Sequence, residues 1–233
     1  MRCLAIGDIH GCFAALQALV AYAPYASAET VVFLGDYVDR GPRSRECLDW
    51  LVGQQQQPTE TQQQRKSKPT LVTLRGNHDV MMLQARSGAL PFYDWLHFGG
   101  DATLASYGAN GRPGSLEHVP AAHWRFLEAT LPIWEAEGDF FVHAGVDPEK
   151  PLDEQPDHLL YWEKLDEGGA AHPSGKRMIC GHTSQKTGRP LDLGHAVCID
   201  TWVYGEGWLT ALDVESGRYW QANEAGQTRT GSI

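Results

Sequence analysis

A polar turn follows directly on a short apolar run in Leu4-Ala5-Ile6-Gly7-Asp8-Ile9-His10-Gly11, near the start of the chain. A few consecutive apolar residues that end at a glycine are typical of a buried strand. Asp8 and His10 are two residues apart, so in extended backbone their side chains point the same way and can bind one metal ion. Gly7 and Gly11 allow a sharp turn and a close approach of the backbone around that ion. This stretch therefore predicts a strand that presents metal ligands just beyond its end.

The same arrangement recurs further along the chain. Polar motifs follow short apolar runs at Gly35-Asp36-Tyr37-Val38-Asp39-Arg40-Gly41-Pro42, Gly76-Asn77-His78-Asp79, His143-Ala144-Gly145 and Gly181-His182-Thr183. One such motif is common by chance, whereas an ordered series, each member behind a predicted strand, indicates a single assembled site. The motifs are expected to lie on loops at strand ends, where a sheet can hold their side chains in place.

The ligand types in these motifs predict a site for two divalent cations. The candidate ligands supply oxygen or imidazole nitrogen and no thiolate: Asp8, His10, Asp36, Asn77, His143 and His182. The first two would bind one ion and the last three the other. Asp36 is the natural bridging ligand, because a carboxylate has two oxygens. This ligand set suits manganese, iron or zinc, and we take manganese as the first expectation.

Residues beside the ligands predict the chemistry. Two ions about 3.5–4 Å apart can hold a hydroxide for in-line attack on phosphorus and clamp the oxygens of the displacement. His78 is the expected general acid for the leaving group, and Asp39 is expected to orient its imidazole. Arg40 and Arg75 are expected to bind phosphate oxygens, because a guanidinium group is planar and stays charged.

Composition limits the class of protein and its partners. Charged residues at 21% and apolar residues at 42% are ordinary for a soluble globular chain of 233 residues. A formal net charge of -10 argues against general nucleic-acid binding. Five cysteines at unrelated spacings predict no disulfide framework. Without a secretory leader or an apolar run of membrane-spanning length, we expect a cytoplasmic protein.

Hydrophobic patterning predicts an α/β fold. Short buried strands are expected at Leu4–Ile6, Val31–Leu34, Leu71–Leu74, Phe140–Val142 and Met178–Cys180. Helical spacing is found over Cys12–Ala23, and a second helix is expected to begin with Ser44 as its N-cap. The polar, glutamine-rich segment Gln54–Lys68 is predicted to be a solvated loop.

The later part of the chain changes character. Consecutive strands are expected at Ala196–Ile199, Gly207–Val214 and Gly217–Gln221. An α/β part followed by such a meander predicts two sheets packed face to face, with helices outside. We expect a single domain over residues 1–222 and a flexible tail over residues 223–233.

These motifs resemble those of the metal-dependent phosphoprotein phosphatases within the calcineurin-like phosphoesterases, and most of all the bacterial and phage serine/threonine phosphatase branch. The resemblance extends over almost the whole chain and includes Phe98-Gly99-Gly100 and Ile199-Asp200-Thr201. It implies a central β-sandwich of two mixed sheets flanked by helices. It also implies the same metal ligands, the same acid pair and the same phosphate-binding arginines as the residues themselves predict.

The chain departs from this branch at two positions. Lys164 lies where the branch often has an arginine that contacts phosphate or substrate. A lysine keeps the charge but loses the planar fork, so we expect looser binding there, with a solvated surface role as the alternative. Trp202 replaces a usual glycine and is expected to pack on Val203 and Trp208, with a wall of the site as the alternative.

The leading functional prediction is hydrolysis of a phosphate monoester, most simply phosphoserine or phosphothreonine in a protein. The main alternative is a dinucleoside tetraphosphate (Ap4A) hydrolase, a related branch with the same metal core. That branch usually has alanine or asparagine in place of Asp39 and a tryptophan in place of Thr183, so both residues favour the monoesterase. Phosphotyrosine or a small phosphorylated metabolite also remains open as the substrate. The intact Asp39 and His78 argue against a silent binding module, and the sequence predicts no oligomeric state.

Overall fold

A computed structural model describes residues 3–56, 68–108 and 114–233 of the chain. Its strands are β1 Cys3–Ile6, β2 Thr30–Phe33, β3 Thr70–Thr73, β4 Ile133–Glu135, β5 Asp139–Val142, β6 Arg177–Cys180, β7 Leu191–Asp192, β8 Ala196–Cys198, β9 Leu209–Asp213, β10 Arg218–Ala222 and β11 Thr228–Ser232. Its α-helices are α1 Phe13–Tyr22, α2 Ser44–Gln56, α3 Asn77–Ser87, α4 Phe92–Trp95, α5 Asp101–Ser106, α6 Ala121–Glu128 and α7 Asp157–Trp162. A π-helical turn, Leu96–Gly100, joins α4 to α5, and 3-10 turns occupy Tyr25–Ser27, Leu116–His118 and Leu152–Glu154.

The strands form two mixed sheets, as the sequence predicts. The first has the order β11-β10-β9-β1-β2-β3, and the second has the order β4-β5-β6-β8-β7. β1, β2 and β3 run parallel to one another, whereas β9, β10 and β11 add antiparallel neighbours. In the second sheet β5, β6 and β8 are parallel. Parallel strands place the loops that follow them at one edge, so the predicted ligand loops share an edge in each sheet.

Successive side chains along the central strands point to opposite faces of the sheet, which explains why the two sheets pack face to face. In β1 and just beyond β2, Ala5 and Leu34 point into a core shared with Phe141 and Ile179 of the second sheet. Their neighbours in sequence, such as Phe33, point to the opposite face, which the helices cover. Full burial of each large apolar side chain stabilises the fold by about 1.5–3 kcal/mol. Strands buried on both faces read as continuous apolar runs, which is the pattern in the sequence.

The carboxyl-terminal residues differ from the predicted flexible tail. Thr228–Ser232 forms β11, which pairs with β10 over its whole length. Gly226 has a φ of 75°, and the Asn223 side-chain oxygen accepts the Gln227 amide at 2.9 Å, so a tight turn returns the chain to the sheet. Backbone pairing and β-branched threonines stabilise this edge strand, although its composition resembles a loop. The single domain predicted for residues 1–222 stays a prediction.

Two further predictions about α2 also need adjustment. Ser44 is the first residue of α2 and not the residue before it, and its buried hydroxyl accepts the Asp39 amide at 3.2 Å. The predicted loop Gln54–Lys68 begins inside α2, which extends to Gln56, and residues 57–67 lie outside the described residues. None of the helices in the described stretches is long and apolar enough to cross a membrane.

Candidate dinuclear metal site

Loops from both sheets converge so that the predicted ligands contact one another. The Asn77 side-chain oxygen lies 3.0 Å from His143 Nε2 and 3.0 Å from His182 Nδ1. The His182 amide donates to the Asp8 carboxylate at 3.1 Å, which joins the loop after β6 to the loop after β1. All the predicted ligands except His182 are buried, and His182 is half-buried. The structure therefore brings the predicted ligands into one cluster.

Asp36 is shared by two groups of side chains whose nitrogen or oxygen atoms lie close together, one of which includes the predicted acid His78. Ligand atoms of His10, Asp36 and His78 lie within 4.8 Å of one another, and so do those of Asp36, His143 and His182. His10 Nε2 is 3.3 Å from one Asp36 oxygen, and His143 Nε2 is 3.6 Å from the other. This placement is what a carboxylate between two cations requires.

Three of the candidate histidines are held in a tautomer that suits metal binding. Each directs one ring nitrogen at a backbone carbonyl: His10 Nδ1 at Val38 (3.0 Å), His143 Nδ1 at Leu34 (2.8 Å) and His182 Nε2 at Trp162 (3.1 Å). A carbonyl only accepts, so that nitrogen bears the proton and the other nitrogen keeps its lone pair. A hydrogen bond of this kind orients histidine ligands in metal sites. The donor set therefore fits a pair of divalent cations.

Burial and mutual charge set the protonation of these groups. Burial lowers the pKa of His10, and burial with the neighbouring His143 lowers the pKa of His182 to about 4. Burial alone would raise the pKa of Asp36, but the surrounding histidines outweigh it and hold that pKa well below its usual value. Burial, together with Asp200 and Asp36, raises the pKa of Asp8. This crowding of negative charge is what bound cations would offset.

The predicted acid pair is present and is more elaborate than the sequence indicates. Asp39 is fully buried, and its Oδ2 lies 2.8 Å from His78 Nδ1. Trp95 Nε1 donates to the same oxygen at 3.0 Å, and the Thr103 hydroxyl donates to Oδ1 at 2.8 Å. Burial raises the pKa of Asp39, and these hydrogen bonds oppose that rise. Trp95 reads in the sequence as a core residue, so its hydrogen bond to Asp39 was not predicted.

Asp79 is a second residue with a role that its motif did not predict. Its buried carboxylate accepts the amides of Asp36 (2.9 Å), Tyr37 (3.1 Å) and Gly76 (2.9 Å). It is the third residue of α3, a position where an acidic side chain commonly binds the free amides of a helix start. That position is the signal that could have identified it. Asp79 fastens the Asp36 loop to the start of α3, which contains Asn77 and His78.

The backbone around the site is unusual. Non-glycine residues with positive φ among the described residues include five predicted site residues: His10 (45°), Asp36 (52°), Asp39 (70°), Arg40 (69°) and His182 (59°). Each such residue costs about 1–3 kcal/mol and persists only where its surroundings enforce it. Gly181 and Gly76 leave room for this arrangement, because a methyl group there would overlap the carboxylates of Asp8 and Asp36. The local backbone is therefore shaped around the ligands.

The predicted phosphate-binding cations lie in three different settings. Arg40 is exposed, and its Nη1 is 3.2 Å from His10 Nε2. Arg75 Nη2 donates to the carbonyl of Glu128 at 2.8 Å, at the carboxyl end of α6. Lys164 is exposed and lines a cavity of about 400 Å³ together with Glu163. Arg40 is thus next to the ligand cluster, and the phosphate-binding roles of Arg75 and Lys164 stay predictions.

Trp202 shows why glycine would suit its position. Its φ is 65°, a left-handed conformation that glycine adopts without strain, and its amide donates to Asp200 at 2.9 Å. The Trp202 ring packs against Gly205 and lies 6.3 Å from the Tyr204 ring. The ring therefore packs within its own turn.

Comparison with known proteins assigns the chain to a family. A family model described as calcineurin-like phosphoesterase matches residues 1–209. The symmetrical bis(5'-nucleosyl)-tetraphosphatase of Methylococcus capsulatus is 34% identical over 150 residues, which cover 64% of this chain and 44% of that protein. Serine/threonine-protein phosphatase 1 of Salmonella typhimurium is 37% identical over 97 residues, which cover 41% of this chain and 38% of that protein. The chain spans less than half the length of either relative.

A solved structure shows the same fold. The cold-active protein-tyrosine phosphatase of a Shewanella species superimposes with a TM-score of 0.60 at 20% identity, covering 98% of this chain and 80% of that chain. Identity this low supports the shared fold alone. The family model matches far more than half of the chain, and it confirms the resemblance seen in the motifs. The chain belongs to the calcineurin-like phosphoesterase family.

Proposed function

We propose that this phosphoesterase hydrolyses phosphate monoesters, with phosphoserine or phosphothreonine in proteins as the substrate class. The main support is the buried pair formed by Asp39 and His78, whose side chains lie 2.8 Å apart. A serine or threonine alkoxide is a strongly basic leaving group and needs a proton as it departs. A nucleotide leaving from a phosphoanhydride is already stabilised as a phosphate anion and needs no such proton.

The proposed metal ligands are the six residues that the structure brings together. Asp8, His10 and Asp36 would hold one ion, and Asp36, Asn77, His143 and His182 would hold the other. When bound, two divalent ions activate water and neutralise charge on a phosphate group. We propose manganese as the metal, because oxygen and imidazole ligands without thiolate suit it, with iron and zinc as alternatives.

The remaining residues act on the substrate. The Asp39 carboxylate would accept a hydrogen bond from the N–H at His78 Nδ1. His78 Nε2 would then donate its proton to the departing oxygen. The His78 ring lies edge-on to the ring of His10 at a centroid distance of 4.8 Å, so it is beside the proposed metal site. Arg40 would bind phosphate oxygens, since its guanidinium is adjacent to His10.

Hydrolysis of bis(5'-nucleosyl) tetraphosphates is the second candidate function. Symmetrical tetraphosphatases from several bacteria match 64% to 66% of this chain, whereas the Salmonella typhimurium protein phosphatase matches 41% of it. The names of these relatives therefore support hydrolysis of dinucleotides better than dephosphorylation of proteins. The acid pair and the relatives favour different substrates, and a direct assay distinguishes them.

The test is phosphate release by manganese-loaded protein from matched phosphoserine, phosphothreonine and phosphotyrosine peptides. Diadenosine tetraphosphate is assayed in parallel through ADP formation, and an Asp36→Ala variant controls for contaminating enzymes. We expect turnover of the serine and threonine peptides that disappears in the variant. Activity confined to diadenosine tetraphosphate would establish the second candidate and refute the first. Activity confined to the tyrosine peptide would also refute the proposed substrate class.

A further inference from the structure

Tyr204 lies between two predicted site residues, in the loop that joins β8 to β9. Its ring is edge-on to the ring of His10, with 4.8 Å between centroids and an interplanar angle of 82°. The guanidinium carbon of Arg40 lies 4.3 Å above the centroid of the same ring. Tyr204 thus contacts both a candidate metal ligand and the candidate phosphate-binding cation.

The Tyr204 ring supports one face of the Arg40 guanidinium. The Arg40 amide donates to the Gly99 carbonyl at 3.1 Å, which fixes the backbone, whereas the side chain is exposed. A guanidinium over an aromatic face is attracted by the negative potential of the ring. With that face beneath it, Arg40 Nη1 reaches to 3.2 Å from His10 Nε2.

Tyr204 is itself held in place by the turn that contains it. Its hydroxyl is 3.3 Å from the Ser184 hydroxyl, which donates to the buried Asp200 carboxylate at 2.6 Å. Asp200 also accepts the Trp202 amide at 2.9 Å, and the Gly205 amide donates to the Trp202 carbonyl at 3.1 Å. The Tyr204 ring is half-buried and packs against the core on the face of the first sheet that the helices cover, and these contacts fix its position.

We propose that Tyr204 is a positioning residue that holds the Arg40 guanidinium beside the metal site to receive the phosphate oxygens of the substrate. One face of the guanidinium rests on the ring, while its N–H edge, with Nη1 3.2 Å from His10 Nε2, is turned toward the proposed metal site where an oxyanion would bind. This proposal rests on phosphoester hydrolysis as the proposed function, but it does not depend on which ester is the substrate.

The test compares Tyr204→Leu, which removes the aromatic face, with Tyr204→Phe, which keeps it. We expect Tyr204→Leu to weaken the binding of inorganic phosphate to the manganese-loaded protein by about 3- to 30-fold. KM for p-nitrophenyl phosphate should rise by a similar factor with little change in kcat, as for loss of uniform binding. Tyr204→Phe should stay within about twofold of wild type, since the ring contact with Arg40 is retained. Manganese affinity should be the same in all three proteins.

A double-mutant cycle shows whether Tyr204 acts through Arg40. In an Arg40→Ala background, Tyr204→Leu should cause no further loss of phosphate affinity. An equal loss in both backgrounds would overturn the proposal, as would an equal loss in Tyr204→Phe or no loss in Tyr204→Leu. Tyr22→Leu, at the exposed end of α1 (42% exposed), is the matched surface control. If Tyr204→Leu does not fold, Tyr204→Met takes its place in the cycle, because methionine fills irregular space without an aromatic face.

Calorimetric phosphate binding separates this proposal from the proposed function. A wild-type protein that binds phosphate with manganese but hydrolyses no monoester would refute the monoesterase and leave the Tyr204 cycle measurable. A wild-type protein that binds no phosphate would overturn the role of Tyr204 as well.

Discussion

The Asp39 carboxylate is fully buried, and His78, Trp95 and Thr103 all contact it through hydrogen bonds. A carboxylate placed in this way is suited to the role proposed for it, which is to orient the His78 ring. A residue that acts by protonating a leaving group should matter most when that group is strongly basic. Residue-scale tests can therefore separate acid catalysis from metal binding.

Asp39→Asn is expected to lower kcat for a phosphoserine peptide by about 100-fold or more, because general acid catalysis typically contributes that much. The loss for p-nitrophenyl phosphate should be much smaller, since p-nitrophenolate leaves without a proton. The measurement is the ratio of the two kcat values, with Asp153→Asn as an exposed control. Equal losses for the two substrates would contradict the assignment of His78 as general acid.

Gly181→Ala is expected to weaken manganese binding, because the added methyl group would overlap the Asp8 carboxylate. Gly138→Ala is the matched control, since a methyl group there would contact nothing within 4 Å. Calorimetric titration with manganese gives both affinities, and circular dichroism shows whether each variant is folded. Unchanged affinity in a folded Gly181→Ala protein would show that Asp8 is not a ligand.

Residue identities in the site could be predicted from motifs, but residue conformations could not. The ligand types and their spacing single out Asp8, His10 and Asp36 as candidate ligands from sequence alone. Positive φ at His10 and Asp36 follows from contacts between loops that are distant in sequence. The His10 amide donates to the Asp36 carbonyl, and the Asp36 amide donates to the Asp79 carboxylate. Propensity gives no warning of such conformations, because tertiary contacts impose them.

At the scale of helices and strands, Asp79 joins the β2 loop to the start of α3. Asp79→Ala would leave three buried amides without their acceptor, and it is expected to lower the free energy of unfolding by about 3 kcal/mol or more. Urea unfolding of metal-free protein measures this change. The control is Asp157→Ala, which removes an exposed acidic residue from the first turn of α7. A loss no larger than in this control would show that Asp79 does not fasten the two elements.

His123 of α6 forms a buried hydrogen bond of 2.7 Å with the Tyr107 hydroxyl and a partly buried one of 3.0 Å with Asp49 of α2. Burial lowers its pKa, although Asp49 opposes this effect. Below the unfolded pKa of about 6.5 the unfolded chain therefore binds more protons, so this contribution to stability is lost as the pH falls. Between pH 7 and pH 5, wild-type protein without metal should lose stability more steeply than His123→Phe in urea unfolding. Parallel pH dependences would contradict this expectation.

Helices and strands with a strong hydrophobic pattern in their own sequence were predictable, and those defined by long-range packing were not. The buried strands and α1 follow from apolar runs and helical spacing. The π turn at Leu96–Gly100 and the edge strand β11 do not, because neither has a distinctive local pattern. The π turn lies beside the site, where Trp95 and Thr103 reach Asp39 from its two sides. The hydrogen-bonding roles of those two residues were missed for the same reason.

At the scale of the whole molecule, the candidate metal site depends on both sheets. Asp8, His10 and Asp36 follow β1 and β2 of the first sheet, whereas His143 and His182 follow β5 and β6 of the second. Asp36 belongs to both groups of candidate ligands. The packing of one sheet on the other therefore assembles the site, and the sandwich predicted from the order of strands is what brings distant motifs together.

Calorimetric titration of metal-free protein with manganese, followed by phosphate-release assays on the same samples, tests this account most directly. We expect two ions per wild-type chain and phosphate release that appears as the second ion binds. Asp36→Ala should lose tight binding at both positions, because both groups of ligands share that carboxylate. A wild-type chain that binds fewer than two ions, or an Asp36→Ala variant that still binds two and releases phosphate, would contradict a dinuclear site centred on Asp36.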